Sequence, residues 1–201
     1  MPAAPQRLRS RARRLTVAGI AGAVCACVVA AAFGAASRKI VVTDPPGDVT
    51  GPVDLTRVSL QRVPDGRLRA VLRFADKVTP KTLLASSGPP GSVCVRIWTA
   101  ADADPKAMRP DRLVCATARS EDELRGGVYE ATGPALPKRL DDASVKFSAS
   151  RQIMVLRFAQ SALGRPERLQ FAAESTLPGC ERPSCIDTAP DSGRVRVLRL
   201  R

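Results

Sequence analysis

Residues 67–74, Arg67-Leu68-Arg69-Ala70-Val71-Leu72-Arg73-Phe74, put Leu68, Ala70, Leu72 and Phe74 on one side of an extended chain and Arg67, Arg69 and Arg73 on the other. A two-residue period of this kind belongs to a strand with one buried and one solvated face, because successive side chains of a strand point to opposite sides of its sheet. Just upstream, Pro64-Asp65-Gly66 supplies turn formers and Val58-Ser59-Leu60 a second strand-like run, so 55–63 and 67–75 are expected to form a hairpin.

Outward from this hairpin, strand patterning recurs at 39–43, 92–99, 112–118, 126–131, 143–148, 151–158, 167–174 and 194–200. Short helical turns are expected at Pro80–Ala85 and Gln160–Leu163. Many short strands joined by Pro- and Gly-rich connections predict an all-β fold, a two-sheet antiparallel sandwich. Seventeen prolines and fourteen glycines in 201 residues speak against a helical bundle. The tetrad Val71-Leu-Arg-Phe74 recurs as Val155-Leu-Arg-Phe158 and nearly as Val197-Leu-Arg-Leu200. No matching turns surround the copies, so they read as separate amphipathic strands rather than a repeat. Because aromatic residues are only 3% of the chain, the core must come mainly from Val, Leu, Ile and Ala, and the length suffices for one such core.

The N-terminus has a different composition. Arg7, Arg9, Arg11, Arg13 and Arg14 form a basic region within residues 1–14, and the 15–37 segment, LTVAGIAGAVCACVVAAAFGAAS, carries no charge. A basic region followed by an apolar run reads as an export signal, or as a signal-anchor helix, that leaves residues 38–201 outside the cytoplasm. At about 1.5 Å per residue the run is long enough to span the roughly 30 Å apolar layer of a bilayer. Small residues at its end, Gly34 and Ala36 or Ala35 and Ser37, offer peptidase positions. The strand at 39–43 begins almost at once, which favours cleavage over an anchor with no linker, and both outcomes stay open. Cys25 and Cys27 read as small apolar members of the run, and Arg13-Arg14 lacks the context of a twin-arginine signal.

Four cysteines remain in the expected 39–201 domain: Cys94, Cys115, Cys180 and Cys185. An even number in an exported chain reads as a disulfide framework, with three connectivities. Cys94 and Cys115 lie in consecutive strand-like runs that would bring them together by pairing, and Cys180 and Cys185 flank the turn-prone Glu-Arg-Pro-Ser. The expected bridges are therefore Cys94–Cys115 and Cys180–Cys185. A four-cysteine zinc site is the rival; it lacks any C-x-x-C pair.

Acidic residues concentrate in two turns. Thr43-Asp44-Pro-Pro-Gly-Asp48, followed by Gly51-Pro-Val-Asp54-Leu55, holds three carboxylates within eleven residues, and Asp187-Thr-Ala-Pro-Asp191-Ser-Gly193 is a second such turn near the C-terminus. If the first and last strands are neighbours, the turns meet. Asp44, Asp48, Asp54 and Asp187 then become candidate oxygen ligands for a structural calcium ion, calcium being a hard cation that takes several carboxylate and carbonyl oxygens. The plainer alternative is that each aspartate only caps its own turn. No other cofactor is expected.

These two turns, together with Ser161-Ala-Leu-Gly164-Arg-Pro166 leading into Leu169-Gln-Phe171, resemble extracellular β-sandwich modules of the DOMON-like type and the C-terminal modules of some secreted glucan-degrading enzymes. The resemblance covers about a third of residues 39–201 through short motifs, and it implies a calcium-supported sandwich that binds a ligand or packs beside another domain. The sugar-stacking aromatics of such modules are nearly missing here. Trp98, on the face opposite Val95 and Ile97, is expected to pack beside a disulfide.

Chemistry that depends on histidine is excluded, since the chain has none: no serine–histidine triad, no histidine base, no histidine metal or haem ligand. Glu121-Asp122-Glu123 and Asp141-Asp142 are expected in loops as solvated charge rather than as a glycosidase pair. Gly88-Pro-Pro-Gly91 lacks the lysine and following helix of a phosphate loop. The formal net charge is +13, of which +5 lies in the basic leader and +8 in the rest. With one tryptophan and one tyrosine to stack on bases, and export removing the target, nucleic acid is not an expected partner. The arginines are expected to solubilise outer sheet faces and to hold the domain weakly near anionic lipid or polymer. The sequence thus points to a non-enzymatic exported binding or structural module of the cell envelope or extracellular space with an unidentified ligand, touching membrane through its N-terminal segment if uncleaved. The alternative is a small secreted hydrolase that relies on carboxylates alone.

Overall fold

A computed structural model describes residues 39–100, 102–106, 109–132, 136–180, 185–191 and 195–200. The expected leader, 1–37, lies outside the described residues; among them no helix is long and apolar enough to cross a membrane. The strands are β1 (Lys39–Thr43), β2 (Leu55–Arg62), β3 (Arg67–Phe74), β4 (Ser92–Trp98), β5 (Arg112–Ala118), β6 (Leu124–Glu130), β7 (Lys138–Ser148), β8 (Ile153–Ala159), β9 (Arg168–Thr176), β10 (Ile186–Ala189) and β11 (Arg196–Arg199). One α-helical turn, α1 (Pro80–Leu83), is started by Thr79, which exchanges reciprocal capping bonds with Thr82 and is followed by Pro80 at the first helical position. A 3-10 turn covers Gln160–Leu163 as expected.

All pairings are antiparallel, so the all-β expectation holds. The expectation of two separate sheets is corrected. The strands make one hydrogen-bonded path, β1-β2-β3-β8-β7-β6-β5-β4-β9-β10, with β11 also on β9. The physical reason is the length of β7. Its first part, 138–143, pairs with β6 and its last part, 144–148, with β8, so one strand serves both halves. The sheet curls nearly into a barrel, bringing β10 beside β2 and β11 beside β1.

The two inner faces share one core. Leu60, Leu72, Leu156 and Phe158 from one half and Val95, Ile97, Val114 and Phe171 from the other are all fully buried in the same cluster. At about 1.5–3 kcal/mol for each large side chain removed from water, this cluster is the main stabilising term. Its members run from Val42 to Leu200 and both disulfides lie inside the compact unit Ala36–Arg201, so that unit carries its own core.

The disulfides are Cys94–Cys115 and Cys180–Cys185. The first joins directly opposed residues of β4 and β5, with Cα atoms 4.0 Å apart. Trp98 departs from expectation. It is buried on the outer side of β4 against Ala103 and Ala172, with the Arg96 guanidinium 5.4 Å from its ring centre, rather than against a disulfide. Asp141 and Asp142 are also corrected, lying inside β7 and not in a loop.

Candidate metal centre at the barrel seam

Among the described residues the curled sheet does not close with a backbone ladder. Between its two edges the contacts are made by side chains. Ser175 Oγ donates to the Val53 carbonyl at 2.5 Å, an Arg62 guanidinium nitrogen donates to the Leu200 carbonyl at 2.7 Å, and the Leu55 N–H donates to an Asp187 carboxylate oxygen. The Asp191 N–H donates to Asp44 Oδ1 at 3.0 Å. Thus residues from the loop between β1 and β2 are tied to residues of β10 and the turn after it.

That juxtaposition follows from the strand order. Asp44 is the first residue beyond β1 and Asp54 the last before β2, so both leave the sheet at the same end. Asp187 is the second residue of β10, on the far edge of the path. Curling the sheet superposes the two acidic turns. One carboxylate oxygen from each of Asp44, Asp48, Asp187 and Asp191 lies within 4.8 Å of the others. Ligand oxygens at 2.3–2.6 Å from a calcium ion can stand up to about 5 Å apart across it, so this set fits around one such ion.

Of the residues expected from sequence, Asp44, Asp48 and Asp187 come together as a set, and Asp54 stands behind them. Its Oδ2 accepts the Gly47 N–H at 2.6 Å and so holds the Pro45-Pro46-Gly47 turn; Gly47 sits at φ +92, where a side chain would be strained. Asp191 takes the fourth place. It belongs to the second acidic turn, and its place four residues beyond Asp187 and directly after Pro190 is the sequence signal for it.

The electrostatics of this cluster are unfavourable as they stand. Asp44, Asp54 and Asp187 are 6%, 4% and 2% exposed, yet Asp44 Oδ2, Asp54 Oδ1 and Asp187 Oδ1 are buried with no hydrogen-bond partner. Among the described residues no lysine or arginine forms an ion pair with any of the five aspartates. Burial pushes the Asp187 carboxyl up to about 7, against the opposing Leu55 N–H bond and with help from the neighbouring aspartates. Burial likewise raises Asp191 to about 6, assisted by a proton shared with the Asp48 carboxylate. Asp44 is raised by burial too, with the Asp191 N–H partly offsetting it. Buried polar atoms without partners cost about 1–3 kcal/mol each, and more when charged. A divalent cation removes that cost by giving the orphan oxygens a partner and cancelling their repulsion.

The other acidic runs lie elsewhere and face cations. Glu121 meets Lys81 at 3.3 Å, Glu123 meets Arg119 at 3.4 Å, and Asp142 pairs with Arg139, which also donates to the Tyr129 hydroxyl. Arg139 holds the Asp142 carboxyl below the usual carboxylate range. These are solvent-exposed pairs of small energetic weight.

Set against known proteins, the chain matches no protein-family model, and no curated protein matches it.

Proposed function

We propose that this chain is an exported, non-enzymatic β module, akin to the DOMON-like and glucanase-associated modules it resembles, in which a calcium ion held by Asp44, Asp48, Asp187 and Asp191 pins the two edges of the sheet together. The observation that carries the reading is the convergence of four carboxylates, of which the buried Asp44 and Asp187 each keep one oxygen with no hydrogen-bond partner, and none of which forms an ion pair with a cation among the described residues. The two disulfides are compatible with an oxidising compartment outside the cytoplasm. Folding and binding are linked, so an ion present at about a hundred times its dissociation constant raises stability by about 2.7 kcal/mol.

Calcium titration of chelated protein, followed by calorimetry and by melting temperature, tests the reading. Saturable binding of one ion is expected, together with a rise of several degrees in Tm. Asp48→Ala, on an exposed ligand, is expected to abolish both and to leave the chelated protein folded. A melting temperature that ignores calcium and chelator in the unmodified protein would remove the ion from the seam.

A further inference from the structure

The outer face of the β1-β2-β3-β8 half has an unusual charge pattern. None of these strands, nor the 144–148 part of β7, contains an aspartate or glutamate. Register places the outward side chains in three rows across the strands. One row holds Lys39, Gln61, Arg69, Arg157 and Ser144. Another holds Thr43, Arg57, Arg73, Ile153 and Ser148. Between them lies Val41, Ser59, Val71, Val155 and Lys146.

Across β1, β2, β3 and β8 the middle row is low and the flanking rows carry the long side chains of Lys39, Arg57, Arg69, Arg73 and Arg157, with Lys146 at the β7 end of the middle row. Ser59 is only 6% exposed although it faces outward, and Val71 and Val155 are half-buried. The result is a trough of about 280 Å³ lined by Lys39, Arg57, Ser59, Arg69, Val71 and Arg73. Its cationic rails are four residues apart along each strand, about 13 Å at the strand rise, and it crosses neighbouring strands at steps of about 4.8 Å. Among the described residues, none of Lys39, Arg57, Arg69, Arg73, Lys146 and Arg157 forms an ion pair. The Nε of Arg69 is buried without an acceptor.

We propose that this trough binds a linear polyanion of repeating phosphates without bases, laid across the strands with its phosphates between the two cationic rails. The inference deepens the reading of the chain as a binding module by naming its ligand class, and it does not depend on the calcium ion. A recessed floor between two rails suits a single extended polyanion, whereas a flat lipid surface would meet the rail tips and leave the floor unfilled. No aromatic side chain lies in the three rows, so the trough offers bases nothing to stack on and recognises charge and phosphate spacing alone. Arginine suits that task because its planar fork meets two phosphate oxygens at once.

The test uses the self-contained unit Ala36–Arg201 and fluorescently labelled long-chain inorganic polyphosphate, with anisotropy read across a salt series. Six phosphate contacts predict a log–log salt slope of about −4, shrinking by about 0.7 for each cation removed. Arg69→Gln with Arg73→Gln is expected to lower affinity at least tenfold, about fivefold for each charge. Lys39→Gln with Arg57→Gln, which likewise removes one cation from each rail, on the neighbouring strands β1 and β2, is expected to match it. Arg125→Gln, an exposed cation on β6 outside the trough, should change affinity by less than about twofold. Circular dichroism and the calcium response of each variant establish that the fold and the seam are intact, so that a failed trough and a failed seam are told apart. Absence of binding at low salt, or equal losses from the Arg125 variant, overturns the proposal. So does tighter binding to phosphatidylglycerol vesicles, which would make the face a membrane surface, or to a mixed-sequence oligonucleotide, which would make it a nucleic-acid surface.

Discussion

The two halves of the sheet are joined at two places, and the joints are made of different material. At β7 the chain passes from one half to the other within a single strand, and backbone ladders to β6 and β8 carry the connection. At the seam, where β10 and β11 approach β2 and β1, the connection is a few side-chain bonds and a cluster of carboxylates. Backbone amides do not titrate, so the first joint is indifferent to pH and ions and depends on steric fit. The second depends on the protonation of its acids and, under the proposed function, on an ion held among them. One barrel thus carries a fixed joint and an adjustable one.

The fixed joint should fail hardest when its steric fit is lost. Gly126 on β6 lies opposite Ala143 of β7, and a Cβ built there would stand 2.2 Å from the Ala143 carbonyl oxygen and 2.6 Å from Val145 Cγ2. Because the nearest atom is backbone, no rotamer change relieves the clash. Gly126→Val is expected to destabilise by about 3 kcal/mol or more, seen as a large loss in denaturant midpoint that neither calcium nor pH restores. A variant as stable as the parent would mean that β6 and β7 are not held this closely.

The adjustable joint should show a smaller effect whose sign depends on conditions. Asp187, raised to about 7, and Asp191, raised to about 6, bind protons in the folded state more tightly than unfolded aspartates, whose values lie near 3.9. Their contribution is fully present below about pH 4 and is lost as pH rises through about 7; most of it comes from the buried Asp187, because solvent screens the exposed Asp191. Chelated protein should therefore melt at a lower temperature at pH 8 than at pH 5, and saturating calcium should flatten or reverse the trend by favouring the ionised ligands. Asp187→Asn separates charge from shape. It is expected to raise the melting temperature of the chelated protein at pH 8 and to erase its response to calcium. A variant that melts lower than the parent under chelation would show that the Asp187 charge is not the destabilising element.

The contrast between the joints also governs what could be read from the sequence. Strands with one dry and one wet face announce themselves by alternation, and β2, β3, β4, β5 and β8 lie within a residue or two of their expected places. The first part of β7, Lys138-Arg-Leu-Asp-Asp142, is largely exposed on both faces and so has no apolar period to read; its strand state comes only from the ladder to β6. The two-sheet expectation rests on the number and spacing of short strands, and those do not show that one strand, β7, pairs with both halves. β10, four residues long, is too short to show a period. The Cys94–Cys115 pair was legible because two consecutive strands fix their own register. The acidic site was legible as two separate turns, and the condition stated for their meeting, neighbouring terminal strands, is met. The exchange of Asp54 for Asp191 depends on which carboxylate reaches inward, and local sequence does not encode that.

The smallest expected effect isolates the seam from its acids. Ser175 on β9 is completely buried, and its hydroxyl reaches across to the Val53 carbonyl, next to Asp54 but outside the cluster of four carboxylates. Removing the hydroxyl leaves a buried carbonyl short of one partner, so Ser175→Ala should cost about 1–2 kcal/mol. The change carries no charge, so the cost should be the same at pH 5 and pH 8 and the same number of calcium ions should bind. What it should alter is the affinity, because a seam that opens more easily presents its ligands less often; the calcium dissociation constant is expected to rise while the pH profile keeps its shape. If the variant instead binds calcium as tightly as the parent at lower stability, the ligands are organised by their own turns, and the ion decorates the seam without closing it.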